Sequence, residues 1–294
     1  MRITSMQMYD TLLKGVNKQT KIQADTTEQV SSGLRFQRPS QAGLDYKISL
    51  DLRHAQKGMQ GSLTAIKTAE SRLGSSQTML NDMKNIMVRV QTLAVQQGSG
   101  NVGAAERQSA TVEVKHLLTQ FANDANQKWQ GQSLFAGTAV DKSAFTQDVI
   151  TGNYTYTGSA QDRTVAISDI HQVKSNVRGD DARFTAAFTA LQSFVTALTA
   201  NNQAGVQTAL GDLNTASNGM IDLTSEVGGR ISALTVSKTS YTDMKFNLDK
   251  QLNQHEAADI PAAVAKLQQS RIALQVSYSQ ISQLKSLSLI NYLK

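Results

Sequence analysis

The four histidines, His54, His116, His171 and His255, stand far apart, with no His-x-x-x-His or His-Glu-x-x-His spacing and no neighbouring carboxylate cluster that would hold a metal ion. A packing or surface role is expected for each. Gly137-Thr138-Ala139-Val140-Asp141-Lys142-Ser143 has the outline of a phosphate loop, but no glycine precedes the lysine and no convincing strand leads into it. Without both, the backbone amides do not converge on a phosphate. Neither a Gly-x-Ser-x-Gly elbow nor a Gly-x-Gly-x-x-Gly loop occurs. The chain has no cysteine, which excludes thiolate ligands, cysteine nucleophiles and disulfides together. Catalytic, metal and cofactor sites are therefore not expected, and the chain is not expected to be an enzyme.

What remains is a scaffold. The chain has 294 residues, 40% of them apolar but only 5% aromatic, and 2 prolines. Such a length exceeds one ordinary core, and such a composition favours long helices over an aromatic-rich globule. A formal net charge of +6 could suit a polyanion, yet Lys14, Lys18 and Lys21 are interleaved with Asp10, Asp25 and Glu28, as on a solvated helix face. Nucleic acid is not an expected partner. The opening Met1-Arg2-Ile3-Thr4-Ser5-Met6-Gln7 lacks the apolar core of a secretory signal, and no window has the apolar length of a membrane span, so no membrane association is expected either.

Apolar and small residues recur at alternating spacings of three and four, the pattern of helices packed along coiled-coil seams. One seam reads Ile66, Ala69, Leu73, Ser76, Leu80, Met83, Met87, Val90, Ala94 and stops at the breaker Gly98-Ser99-Gly100-Asn101-Val102-Gly103. A second helix follows through Val114, Leu117, Phe121 and Ala125, antiparallel to the first. A later seam runs Leu210, Leu213, Ser217, Met220, Thr224, Val227, Ile231, Leu234, Tyr241, Leu248 and Leu252, with Lys238 and Lys245 at two of its positions and Gly228-Gly229 inside it. That glycine pair marks either a tolerated blemish or a close helix–helix contact. Between the helical halves, Val149–Tyr156 and Thr164–Ile167 read as short strands, and helix resumes by Phe184. The pattern predicts a mainly α fold: a folded-back rod of long antiparallel helices with a small β-rich insertion.

The two ends carry weaker seams. Met6, Tyr9, Leu13 and Val16 continue to Val30 and Leu34 through a polar middle of Thr20, Gln23 and Thr27; Leu267, Leu274, Ile281 and Leu284 share a stripe diluted by Ser270, Ser277 and Ser288. Helices this poor in apolar residues are expected to be disordered in the monomer and to order against partners. These ten apolar residues form the candidate assembly interface. Gly33, Arg38 and Pro39 form a candidate spoke turn, because Gly33 can close the first helix and Arg38-Pro39 favours extended backbone before helix resumes near Asp45.

Ser31–Leu44, with its core Ser31-Ser32-Gly33-Leu34-Arg35-Phe36, closely resembles the N-terminal signature of the flagellin superfamily. Ser286–Leu293 resembles that family's closing helix, and Leu134-Phe135-Ala136-Gly137-Thr138, Tyr156-Thr157-Gly158 and Glu226-Val227-Gly228-Gly229-Arg230 are further matches. Met1-Arg2-Ile3-Thr4 is similar to the hook–filament junction branch, whereas Gln41-Ala42-Gly43 is closer to filament flagellins than to the acidic segment common in junction proteins. The resemblance implies a structural subunit of the bacterial flagellum that joins hook to filament and seeds flagellin assembly, with a short filament flagellin as the alternative. It also implies extracellular delivery, unfolded, through the flagellar type III export apparatus. The implied partners are further copies in a ring, another hook-associated protein on the hook side, flagellin on the filament side and an export chaperone. The implied division is a terminal domain of residues 1–45 and 259–294, a helical rod of 46–137 and 181–258, and an outer β-rich module of 138–180.

Overall fold

The computed structural model describes residues 2–139, 141–168 and 171–290. Among them are seven helices: α1 (Arg2–Ser32), α2 (Pro39–Ala42), α3 (Leu44–Gln97), α4 (Ala104–Ala125), α5 (Ala182–Thr199), α6 (Gln203–Glu256) and α7 (Ile260–Ile290). Six short strands lie between α4 and α5: β1 (Lys128–Trp129), β2 (Gln132–Ser133), β3 (Phe145–Gln147), β4 (Tyr154–Tyr156), β5 (Thr164–Ser168) and β6 (His171–Lys174). They pair consecutively into three antiparallel hairpins. The mainly α reading of the sequence holds. The chain divides into two compact units, one of residues 1–58 and 245–294, the other of residues 59–244.

The larger unit contains the apolar core. Every residue of the seam from Ile66 to Ala94 is at most 1% exposed, as expected of a helix whose knobs meet partners along its whole length. Leu213, Met220, Val227 and Leu234 of α6 and Val114, Phe121 and Ala125 of α4 belong to the same cluster. Polar contacts fix the register. The Gln91 amide donates to the Leu213 carbonyl at 3.3 Å and to Asn214 Oδ1 at 2.9 Å, and Lys238 Nζ, one of the two seam lysines, pairs with Glu70 at 2.9 Å. Gly229 faces open space, and a Cβ on Gly228 would meet only the flexible end of Gln77, so the glycine pair marks no close backbone contact between helices.

The β segments are built into this core. Phe145 packs its ring 4.8 Å from Phe188 and 5.7 Å from Phe184, and Ile167 and Val177 are buried in the same cluster. Arg72 ties α3 to the β1–β2 hairpin. It is 2% exposed, donates from Nη2 to the Ser133 carbonyl at 2.6 Å, and lies 5.9 Å from the centre of the Trp129 ring. Burial, reinforced by the charge of Arg163, pushes its pKa down to about 10.

One expectation fails locally. Val149 and Ile150 read as strand because both are β-branched, yet they occupy the turn between β3 and β4. The Asp148 carboxylate accepts the backbone N–H groups of Ile150 and Thr151, each at 2.8 Å, and Gly152 takes a φ of 73°. Side-chain capping of the turn overrides propensity.

Because Leu73 is fully buried within a continuous seam, Leu73→Ala should lower unfolding free energy by about 2–5 kcal/mol in urea denaturation. A substitution at Val149, 99% exposed in the same unit, should leave it within about 0.5 kcal/mol of the parent.

Candidate assembly interface

The smaller unit is built on two 31-residue helices, α1 and α7, that pack along one another. Backbone bonds at their junction set the direction. The Ala258 N–H donates to the Gly33 carbonyl at 2.9 Å and the Arg35 N–H to the Glu256 carbonyl at 2.6 Å, closing an antiparallel bridge between Leu34 and Ala257. The end of α1 is thereby tied to the start of α7, and the helices run antiparallel. Gly33 makes the tie possible with a φ of 72°, a conformation that costs other residues strain.

The seam is thin. On α7, Ala263, Ser270 and Leu274 are buried and Leu267, Ile281 and Leu284 half-buried, at spacings of four and three. All four candidate interface residues of α7 thus share the face turned to α1. On α1, Val16 and Thr26 are buried and Tyr9, Leu12 and Val30 half-buried. Leu13 is exposed, and Leu12 takes its place on the seam. The α1 and α7 stripes expected from sequence therefore come together with that one exchange. Leu34, beyond α1, is half-buried at the bridge; the side chain of Met6 and the closing Ser286–Leu293 side chains lie outside the described residues. Threonines make the polar middle self-sufficient: Thr20 and Thr26 donate to the carbonyls of Val16 and Ile22.

Apolar side chains also point away from this seam. Met8 is 56% exposed, and Ile272 and Val276, one helical turn apart on the far side of α7 from Leu274, are 63% and 50% exposed.

Below the seam the spoke turn is held by charges. Arg38 is extended, with φ −127° and ψ 147°, Pro39 opens the single turn of α2, and the long helix α3 follows from Leu44. The Arg38 guanidinium grips Glu28 through both carboxylate oxygens at 2.9 and 2.7 Å; these hydrogen bonds hold the Glu28 carboxyl below its ordinary pKa. Phe36 is buried edge-on to Tyr46, with ring centres 6.3 Å apart.

Sequence reasoning missed Glu256. It ends α6, is 5% exposed, and accepts bonds from Arg53 Nε and Nη2, both at 2.7 Å, and from the Ser49 hydroxyl. An acidic residue in the last turn of a helix opposes the helix dipole, and that anomaly was the available signal. The Arg53 bonds, together with Ser49 and against the effect of burial, hold its carboxyl below the ordinary range. Leu34, Phe36, Tyr46, Leu50 and Arg53 surround a cavity of about 450 Å³ beside it.

Residues 3–140 match the family model of the bacterial flagellin N-terminal helical region. Over that stretch the chain is similar to bacterial flagellin. Its similarity to flagellar hook-associated protein 3 runs end to end: 22% identity covering 98% of both chains for the Salmonella typhimurium protein, and 22% covering 100% of both for that of Escherichia coli. Bacillus cereus FlgL shares the fold, with a TM-score of 0.61 at 23% identity over 69% of this chain and 99% of that one. The flagellar junction protein FlgL of Legionella pneumophila also shares it, with a TM-score of 0.58 at 14% identity over 69% and 98%. No described helix is long and apolar enough to cross a membrane.

Because Glu256 has a depressed pKa, its contribution to stability is present above the ordinary carboxylate range and lost as pH falls through the folded-state value. Glu256→Gln should destabilise the tie between Ser49 and Arg53 of α3 and the end of α6 by about 1–3 kcal/mol at neutral pH. It should also flatten the acid limb of the stability–pH curve, measured by denaturation across that range.

Proposed function

We propose that this protein joins hook to filament in the bacterial flagellum as a ring of structural subunits that seeds flagellin assembly. The supporting observation is the end-to-end correspondence with hook-associated protein 3. Three filament proteins similar to it in sequence correspond over 32%, 43% and 36% of their lengths. On this reading the partners are further copies of the chain, another hook-associated protein on the hook side, flagellin on the filament side and a chaperone during export. The destination is extracellular, reached unfolded through the flagellar export apparatus.

The terminal seam fits such a role. Among the described side chains of α1 and α7, Val16 and Leu274 are the large aliphatic residues that are buried, while fixing each residue's backbone costs about 1–2 kcal/mol. Neighbouring subunits supply the missing burial by covering Met8, Leu13, Ile272 and Val276. On this account α1 and α7 are mobile in the free subunit and become ordered in the ring.

Deleting the gene should leave cells with hooks but without filaments, and with flagellin shed into the medium, as seen by electron microscopy and immunoblotting. Normal filaments on the deletion strain would contradict the junction role. Loss of the filament protein itself from both cells and medium would point instead to a filament flagellin.

A further inference from the structure

We propose that the β3–β4 hairpin tip docks into a second copy of this chain, seating Val149 and Ile150 in the cavity walled by Leu34, Phe36, Tyr46 and Leu50. This names the contact between copies within the ring proposed above and rests on that reading.

Val149 and Ile150 are 99% and 96% exposed, the barest of the large apolar side chains described. A mobile loop could leave such residues bare at little cost, but this tip is held in shape. The Asp148 carboxylate caps the turn through Ile150 N–H and Thr151 N–H at 2.8 Å, and Gly152 N–H closes it onto the Asp148 carbonyl at 2.8 Å. The Gln192 side chain of α5 then donates to the Gly152 carbonyl at 3.2 Å, anchoring the tip to the larger unit. An apolar pair presented on a fixed backbone loses little conformational freedom on binding, which is what makes a good anchor.

The cavity in the smaller unit offers the complementary surface. It measures about 450 Å³, has the buried Phe36 and the half-buried Leu34 and Tyr46 in its walls, and bears Leu50 at its rim, 56% exposed. The charges also match. Asp148 is the one charged residue from Ser143 to Gln161. The two charged residues lining the cavity pair with one another, and since the Arg53 side chain is 51% exposed and that of Glu256 only 7%, the pair turns its positive end outward. A knob and a cavity at different places on one chain make a head-to-tail contact, and contacts of that kind repeat around a ring or along a helix rather than closing a two-fold dimer.

The cysteine-free chain allows a clean test. Leu50→Cys and Ile150→Cys are placed on separate copies, expressed together in cells lacking the parent gene, and isolated hook–filament structures are mildly oxidised. A covalent dimer that needs both variants is expected. If the protein is present in those structures without that dimer, the docking is overturned and the junction role stands. If the protein is absent from them, both readings fall. In a second arm, Val149→Ser with Ile150→Ser should leave the thermal midpoint of the purified protein unchanged and lower filament attachment by about tenfold or more. Normal attachment overturns the proposal. Lost attachment while the Leu50→Cys and Ile150→Cys copies give no dimer overturns the second copy as the occupant and assigns the tip to a different flagellar protein.

Discussion

A seam too poor in apolar residues to bury itself is the constraint on which this protein's design turns. The fully buried residues of α1 and α7 are Val16, Thr26, Ala263, Ser270 and Leu274, among which small and polar side chains outnumber large aliphatic ones. Hydrophobic stabilisation scales with apolar area removed from water, so this pair gains little where Ile66 to Ala94 on α3 gains much. The threonine hydroxyls that return to their own helix carbonyls keep the polar middle from costing more, without adding burial. Met8, Leu13, Ile272 and Val276 are exposed on the same helices.

The junction of α1 with α7 carries a different kind of stabilisation. A positive-φ glycine, two backbone hydrogen bonds and a nearly buried carboxylate gripped by Arg53 and Ser49 bring segments more than two hundred residues apart in sequence into register. Such contacts specify geometry more than they contribute free energy, because desolvating Glu256 offsets much of what the ion pair returns. The seam above the junction can therefore be weak and still form in only one register. The same junction lines the cavity into which we place the neighbour's hairpin tip.

Much of this was legible in the sequence, and the parts that were not share a cause. The seam on α3 could be read residue by residue because its apolar positions recur over four heptads against a polar background. On α1 the stripe was placed on Leu13 rather than Leu12, since two adjacent leucines in a sparse pattern leave the phase undetermined by one residue. Val149 and Ile150 were assigned to a strand because propensity sees their β-branching and not the carboxylate of Asp148 beside them. Glu256 left no periodic trace at all. Its partners Ser49 and Arg53 are distant in sequence, and only the fold brings them to it.

The central claim is that the terminal helices fold as a pair only when neighbouring subunits cover them. Amide hydrogen exchange of the purified subunit and of the same protein within isolated hook–filament structures tests it most directly. The account predicts fast exchange along α1 and α7 in the free subunit, strong protection of both in the assembled structure, and equal protection of the α3 seam from Ile66 to Ala94 in the two states. Terminal helices as protected in the dilute subunit as in the assembly would contradict it.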